Sequence, residues 1–265
     1  MTRLSSGRLR ARNPRLWQAI VVGVTFVLFL IAWQIFATRI YGGVIPLPTV
    51  GSTADAFVEL TEDGDLQSAT LESLQVLLAG TIPGIILGIA FGLVIGAFRP
   101  LDTSLSPYLF AFYATPFPAL IPIFILLFGL GIIGKGMIVF TLVVTTVLLQ
   151  TVAGVKTVDA RFIEAARSLG TSRRRMLIDV QLPAALAFII AGIRLAIGRA
   201  LVGVVVAEFD TALSGLGALI FGYAGRLQLS NALVPALIFA VTGIVLSVAL
   251  RAAERRFERW RVVGA

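Results

Sequence analysis

Residues 158–183 read VDARFIEAARSLGTSRRRMLIDVQLP, a basic and polar segment between two long apolar runs. Its first half has helical spacing, with Phe162, Ala166 and Leu169 on one face and Ile163 beside them. Gly170 suits the position just past a helix end, where a left-handed conformation is required and only glycine adopts it at little steric cost. Thr171 or Ser172 can cap a second helix, and Pro183 marks the start of the next apolar run. The expectation is two short helices at an angle, with Arg161, Arg167, Arg173, Arg174 and Arg175 exposed. The small residues Ala165 and Ala166 leave a flat face that fits a groove on a soluble partner. The blander alternative is an amphipathic loop held on anionic lipid by its arginines.

The flanking runs decide the class. Of 265 residues, 58% are hydrophobic and only 14% charged, far from the balance of a soluble domain. Several apolar runs exceed the roughly 20 residues that cross a bilayer core. The chain therefore reads as an all-α, polytopic membrane helix bundle. Its net charge of +8 does not point to nucleic acid, because the basic residues cluster beside apolar runs, the pattern of the positive-inside rule. Cysteine and histidine are both absent. That removes disulfides, thiolate and imidazole metal sites, and catalysis by a histidine base or a cysteine nucleophile.

Six spans fit, at about 16–40, 73–98, 105–130, 136–155, 184–208 and 230–250. The arginines before Leu16 imitate a secretory signal, but the run from Leu16 to Ala37 is too long for one and is read as a retained first span. With the N-terminus inside, the inside segments 1–15, 98–105, 156–183 and 251–265 hold 17 of the 22 basic residues. The outside segments hold only Arg39, Lys135 and Arg226, and Arg194 and Arg199 fall in the fifth span. Both ends are therefore expected in the cytoplasm. The organisation is a basic N-terminus (1–15), one transmembrane domain (16–250) carrying the cytoplasmic loop 156–183, and a basic C-terminus (251–265).

Three segments stand out. The first outer segment, 41–72, carries six carboxylates and no Lys or Arg; Thr53 could cap a short amphipathic helix through Phe57 and Leu60. Span two has Gly80, Gly84, Gly88, Gly92 and Gly96, one stripe of small residues that lets another backbone approach; a pore-lining role is the alternative. Span three contains Pro107, Pro116, Pro118 and Pro122, which break a helix and suit a pathway wall or hinge as well as a kinked packing helix. Gly129-Leu-Gly131-Ile-Ile-Gly134-Lys135 imitates a nucleotide-binding loop. It lacks a flanking strand, has Gly136 where Ser or Thr should hold magnesium, and falls on the outer face. It is read as a turn between spans.

The polar loop, taken whole, resembles the EAA loop of permease subunits of binding-protein-dependent ATP-binding-cassette importers. The matching residues are Glu164-Ala165-Ala166, Gly170 six residues after the glutamate, and Leu182-Pro183 before the penultimate span; Val180 replaces the usual Ile. Pro46-Leu47-Pro48-Thr49 and Ala114-Thr115-Pro116-Phe117-Pro118-Ala119-Leu120-Ile121-Pro122, ending at Phe128-Gly129, are similar to the sulfonate, taurine and nitrate branch. The resemblance implies the type I importer permease fold in the bacterial inner membrane. It also implies a second permease chain, most simply another copy, two ATPase subunits that bind ATP and Mg, and an extracytoplasmic substrate-binding protein. The chain itself would bind no cofactor, contain no catalytic residue and touch lipid but no nucleic acid. Glu164, Ala165, Ala166, Gly170, Leu182 and Pro183 would couple it to the ATPase.

Along the pathway the candidates are Arg194, Arg199, Pro116, Pro118 and Pro122. Intramembrane arginines are functional hypotheses by default, and a guanidinium facing the pathway suits an anionic solute. Spaced five apart, the two point about 140° apart on an ideal helix, and Arg194 could instead snorkel to the cytoplasmic interface. Glu208 and Asp210 are expected at an outer gate or a binding-protein contact. The competing reading is an ion-independent secondary carrier or channel-like protein with no ATPase. A proton- or sodium-coupled carrier is disfavoured because no carboxylate lies mid-span. An intramembrane Ser-Lys hydrolase is disfavoured on the expectation that neither Lys135 nor Lys156 is buried in a span.

Overall fold

The computed structural model describes residues 14–40, 47–211 and 213–258, and every regular element among them is helical. The basic N-terminal arginines up to Arg12, Pro46 and the C-terminal residues after Glu258 lie outside the described residues. The first helix, α1 (Pro14–Ile35), ends in a π-turn, Phe36–Ile40. It stands off from the remainder, with none of its apolar window buried. Two hydrogen bonds tether its end: the Trp33 indole donates to the Pro48 carbonyl at 2.9 Å, and the Gln34 side chain accepts from the Val50 N–H at 3.0 Å.

Helix α2 (Val50–Glu62) is the amphipathic outer helix, but its cap is Thr49 and not Thr53. Thr49 Oγ1 accepts from the Ser52 N–H at 3.1 Å while Ser52 Oγ accepts from the Thr49 N–H at 2.9 Å. This reciprocal box satisfies two donors at once, which a lone Thr53 cap would not. Thr53 lies inside the first turn and, with Ala56 and Leu60, forms the buried stripe, leaving Phe57 outside.

The crossing elements follow. Helix α3 (Asp65–Ala97) begins eight residues before the expected 73 and, at 33 residues, is about 50 Å long. Helix α4 (Arg99–Ala114) and helix α5 (Ile121–Phe128), joined through a 3₁₀ turn at Phe117–Leu120, meet at a 94° bend. Thr115 is extended there (ψ 134°), because the Pro116 ring clashes with a helical residue before it. Helix α6 (Ile132–Lys156) leads to α7 (Ala160–Ser168), then come α8 (Arg173–Thr211), α9 (Leu216–Gly225) and α10 (Leu229–Glu258). Helices α1, α3, α6, α8 and α10 are long and apolar enough to cross a membrane, and the bent pair α4–α5, taken as one broken span, brings the number to six.

Helix α6 is the centre of the bundle, clasped between α3 and α8. A core cluster joins Val76 and Leu77 of α3, Val139, Val143 and Val147 of α6, and Ala196, Ala200 and Val204 of α8. The glycine stripe of α3 faces a matching ladder on α6: Gly80, Gly84, Gly88, Gly92 and Gly96 oppose Val139, Val143, Val147, Thr151 and Val155 in turn. Both ladders repeat every four residues, so small meets β-branched at each turn and the backbones come close. In hydrocarbon, where tails are as apolar as leucine, such close van der Waals contact is what holds helices together.

Candidate functional site

The polar loop folds as a single exposed helix with a defined stop. Asp159 caps α7 by accepting the Arg161 N–H at 2.9 Å. At the other end the Gly170 N–H donates to Arg167 O at 2.9 Å and the Thr171 N–H to Ala166 O at 3.1 Å, with Gly170 at φ +74°. This pair of bonds is the Schellman stop, and it needs the left-handed residue that glycine supplies. Phe162 is 66% exposed and Leu169 86% exposed. Glu164 and Ala165 are also exposed and Ala166 is half-buried, so an apolar-and-small face lies open at the cytoplasmic end.

Pro183 does not separate a second loop helix from the fifth span. Ser172 caps a helix that begins at Arg173 and runs without interruption to Thr211, 39 residues in all. The proline, which has no N–H and crowds the preceding turn, is absorbed by a π-turn at Met176–Gln181, whose end is marked by the Leu182 N–H donating to Leu177 O. The consequence is mechanical: the segment after Gly170 is continuous with a rod about 58 Å long. Beside it, Lys156 at the end of α6 meets Asp102 of α4, Nζ to Oδ2 at 2.7 Å.

The two span-five arginines have different partners. Arg194, its own side chain 59% exposed, is ion-paired with the nearly buried Glu254 of α10. The Arg199 guanidinium carbon lies 4.1 Å from the centre of the Tyr113 ring, on α4 just before the bend. Among the described residues no carboxylate lies within ion-pair distance of it. A cation–π contact is worth about 0.5–2 kcal/mol, against roughly 2.5–3.5 kcal/mol or more to place a guanidinium at mid-membrane. The ring therefore offsets only part of the cost. Pro116, Pro118 and Pro122 are all exposed at the bend, and Pro122 shares a groove of about 550 Å³ with Ile121, Ile125 and Asp210.

At the outer end the structure overturns two expectations. Lys135 is not a solvent-facing loop charge: it is 1% exposed on α6, and Nζ donates to Glu72 Oε1 at 3.1 Å, Ser214 O at 2.9 Å and Ser214 Oγ at 3.0 Å. The three hydrogen bonds use all three donors of the ammonium group. Glu208 is not open to a partner; it is fully buried and accepts from Ser73 Oγ at 2.7 Å and from the Gly217 N–H at 2.8 Å. Gly215 (φ +96°) makes room for it, since a Cβ there would sit 2.2 Å from Glu208 Oε1. These contacts clamp α3, α6 and α8 to the start of α9. Sequence reasoning missed the cluster because its partners are 63, 79 and 135 residues apart. The one available signal was polar residues at the ends of apolar runs. The glycine-rich stretch before Lys135 is a tight turn between α5 and α6, where Gly134 admits no Cβ because it would lie 1.8 Å from Gly129 O.

Comparison with known proteins gives a consistent result. Residues 84–262 match the family described as "Binding-protein-dependent transport system inner membrane component". The chain is 31% identical to the "Putative aliphatic sulfonates transport permease protein SsuC" of Bacillus subtilis, over 86% of this chain and 83% of that one. It is 30% identical to the riboflavin transport system permease protein RibX of Chloroflexus aurantiacus, over 98% and 97%. It is 28% identical to the taurine transport system permease protein TauC of Escherichia coli, over 97% and 96%.

Proposed function

The chain belongs to the family of inner membrane components of binding-protein-dependent transport systems, and from that membership we propose how it works and what it carries. It is a permease subunit of an ATP-binding-cassette importer, a transport component and not an enzyme. Two such chains, most simply two copies, enclose the pathway. A separate binding protein delivers the solute at the outer face, and two ATPase subunits that bind ATP and Mg dock below. ATP and the loaded binding protein each favour one of two pre-existing arrangements of the pair, and that difference in affinity drives the cycle.

The observation that carries this reading is the exposed α7 face, Phe162 and Leu169 around Glu164-Ala165-Ala166, stopped by Gly170 beside a helix that runs uninterrupted through the membrane. A force applied to α7 passes into α8 through the Gly170 turn without a flexible linker. Leu182 and Pro183 lie within that rod as the coupling connection. The solute is a small sulfonate-type compound: the names of SsuC and TauC refer to sulfonates and taurine, and an intramembrane guanidinium with no carboxylate partner among the described residues suits an anionic group.

The test is co-purification from membranes. Tagged wild-type chain is expected to retain a stoichiometric ATPase subunit, and Glu164→Arg to lose it while remaining in the membrane. Wild-type chain that is well folded yet carries no ATPase would reverse the reading in favour of a secondary carrier. Uptake of labelled taurine, set against labelled riboflavin, tests the solute class separately.

A further inference from the structure

We propose that Arg199 and Tyr113 form a lidded anion site inside the membrane, with the Tyr113 ring covering the guanidinium until an anionic group displaces it. The proposal rests on the reading of the chain as a permease.

Arg199 lies within the apolar run of α8, about two and a half turns below Glu208 and more than four turns above Pro183. Lys135, Lys156 and Arg194 are partnered by carboxylates, Glu72, Asp102 and Glu254 in turn. Arg199 has an aromatic face instead. A ring offers charge–quadrupole attraction to the cation but does not occupy the in-plane N–H fork of a guanidinium. That fork matches two oxygens of a sulfonate, carboxylate or phosphonate.

The face on which Arg199 sits is open. One turn to either side, Leu195 is 53% exposed and Val202 is 60% exposed, and nothing lies within 4 Å of where a Cβ on Gly198 would be. The opposite face, Ala196, Ala200 and Val204, is packed into the core. An arginine with free donors does not face hydrocarbon, so this open side belongs to the wet pathway. The predominantly apolar α1, with none of its apolar window buried, is the element that suits lipid.

Tyr113 is placed to move. It is 39% exposed, on a helix with no buried residue, two residues before the extended Thr115 and the 94° bend. A loosely packed helix end at a proline break can swing with little loss of contacts. The ring is therefore a lid over one face of the guanidinium, and lifting it widens the approach to the fork.

The absence of cysteine makes a direct test possible with the full chain in membrane vesicles opened to both sides. Leu195→Cys and Val202→Cys, made singly, are exposed to two thiol-reactive methanethiosulfonates, one carrying a sulfonate and one a trimethylammonium group. Rates are corrected for those with a free thiol. The expected result is that the sulfonate reagent reacts faster, on the order of ten-fold, because a single fixed charge in a confined site concentrates counter-ions by that much or more. Arg199→Gln should erase the preference and Arg199→Lys should keep it. Tyr113→Ala should raise both rates severalfold, and Tyr113→Trp should leave them unchanged; this arm leaves Arg199 intact and stands even if Arg199→Gln fails to reach the membrane. No reaction at either cysteine, or a preference that survives Arg199→Gln, would overturn the anion site. Rates indifferent to Tyr113→Ala would overturn the lid. The labelling needs neither ATPase nor transported solute, so its failure leaves the importer reading intact, and loss of the ATPase from the pull-down leaves this site intact.

Discussion

Gly92 of α3 lies so close to Thr151 of α6 that a Cβ placed on the glycine would sit 2.6 Å from the Cβ of the threonine. The same holds at Gly80 against Val139, also at 2.6 Å. No rotamer change relieves such an overlap, because both atoms are fixed by the backbone. Gly92→Val is therefore expected to force α3 and α6 apart. Overpacking typically costs about 1–3 kcal/mol, and a lower thermal midpoint in detergent should follow. Gly23 has nothing within 4 Å of its Cβ position, so Gly23→Ala is the matched control and should leave the midpoint unchanged.

Removing Lys135 should be worse than removing the pair. Lys135→Met leaves Ser214 and the Glu72 carboxylate, whose side chain is 27% exposed, without their cation; breaking a fully buried pair from one side costs roughly 3–5 kcal/mol, and solvent at Glu72 lowers that here. The double variant Lys135→Met with Glu72→Gln should recover much of that loss. A double-mutant cycle on thermal midpoints checks it, and additive losses would contradict a coupled pair.

Glu208 holds α8 to α9 through the Gly217 N–H and to α3 through Ser73. Glu208→Ala leaves both donors buried without an acceptor, at a cost of about 1–3 kcal/mol for each unsatisfied group. Glu208→Gln keeps an acceptor and should be milder. Limited proteolysis at the α8–α9 connection, around residue 213, should accelerate in the order wild type, Gln, Ala.

On the cytoplasmic side the expected phenotype is different in kind. Phe162→Asp and Leu169→Asp alter side chains that are exposed in the isolated chain, so thermal stability should hold within roughly 0.5 kcal/mol. Co-purification of the ATPase subunit should fall sharply. Loss of fold in either variant would mean that the face is covered by this chain itself.

Gly170→Val should uncouple without unfolding. The left-handed conformation at φ +74° costs a residue with a Cβ roughly 1–2 kcal/mol, enough to loosen the turn between α7 and α8 while the transmembrane core is untouched. ATPase subunits are expected to bind, less tightly, with ATP hydrolysis no longer stimulated by loaded binding protein. Hydrolysis assays in proteoliposomes give the readout.

Composition and periodicity alone establish the helical class, the crossings and their orientation, because a bilayer imposes a length and a charge rule that can be counted along the chain. The loop helix was legible for a similar reason: an apolar face and a terminal glycine are local, so Phe162 and Gly170 carry their meaning within one or two turns, whereas the Asp159 cap emerged only from the structure. Even the glycine stripe of α3 announced a close approach, although not that its partner is the β-branched ladder of α6. What tertiary structure alone decided is whatever depends on pairing across the bundle. Lys135 looked like a loop charge until folding brought Glu72 and Ser214 to it. Glu208 looked like an outer contact until Ser73 and Gly217 enclosed it. Arg194 and Arg199 are alike in sequence, and only the packing of α10 against one and α4 against the other separates an ion-paired cation from one stacked on an aromatic ring. The physical reason is that a charge in a membrane is defined by its nearest opposite charge, and distance along the chain says nothing of how far away that is.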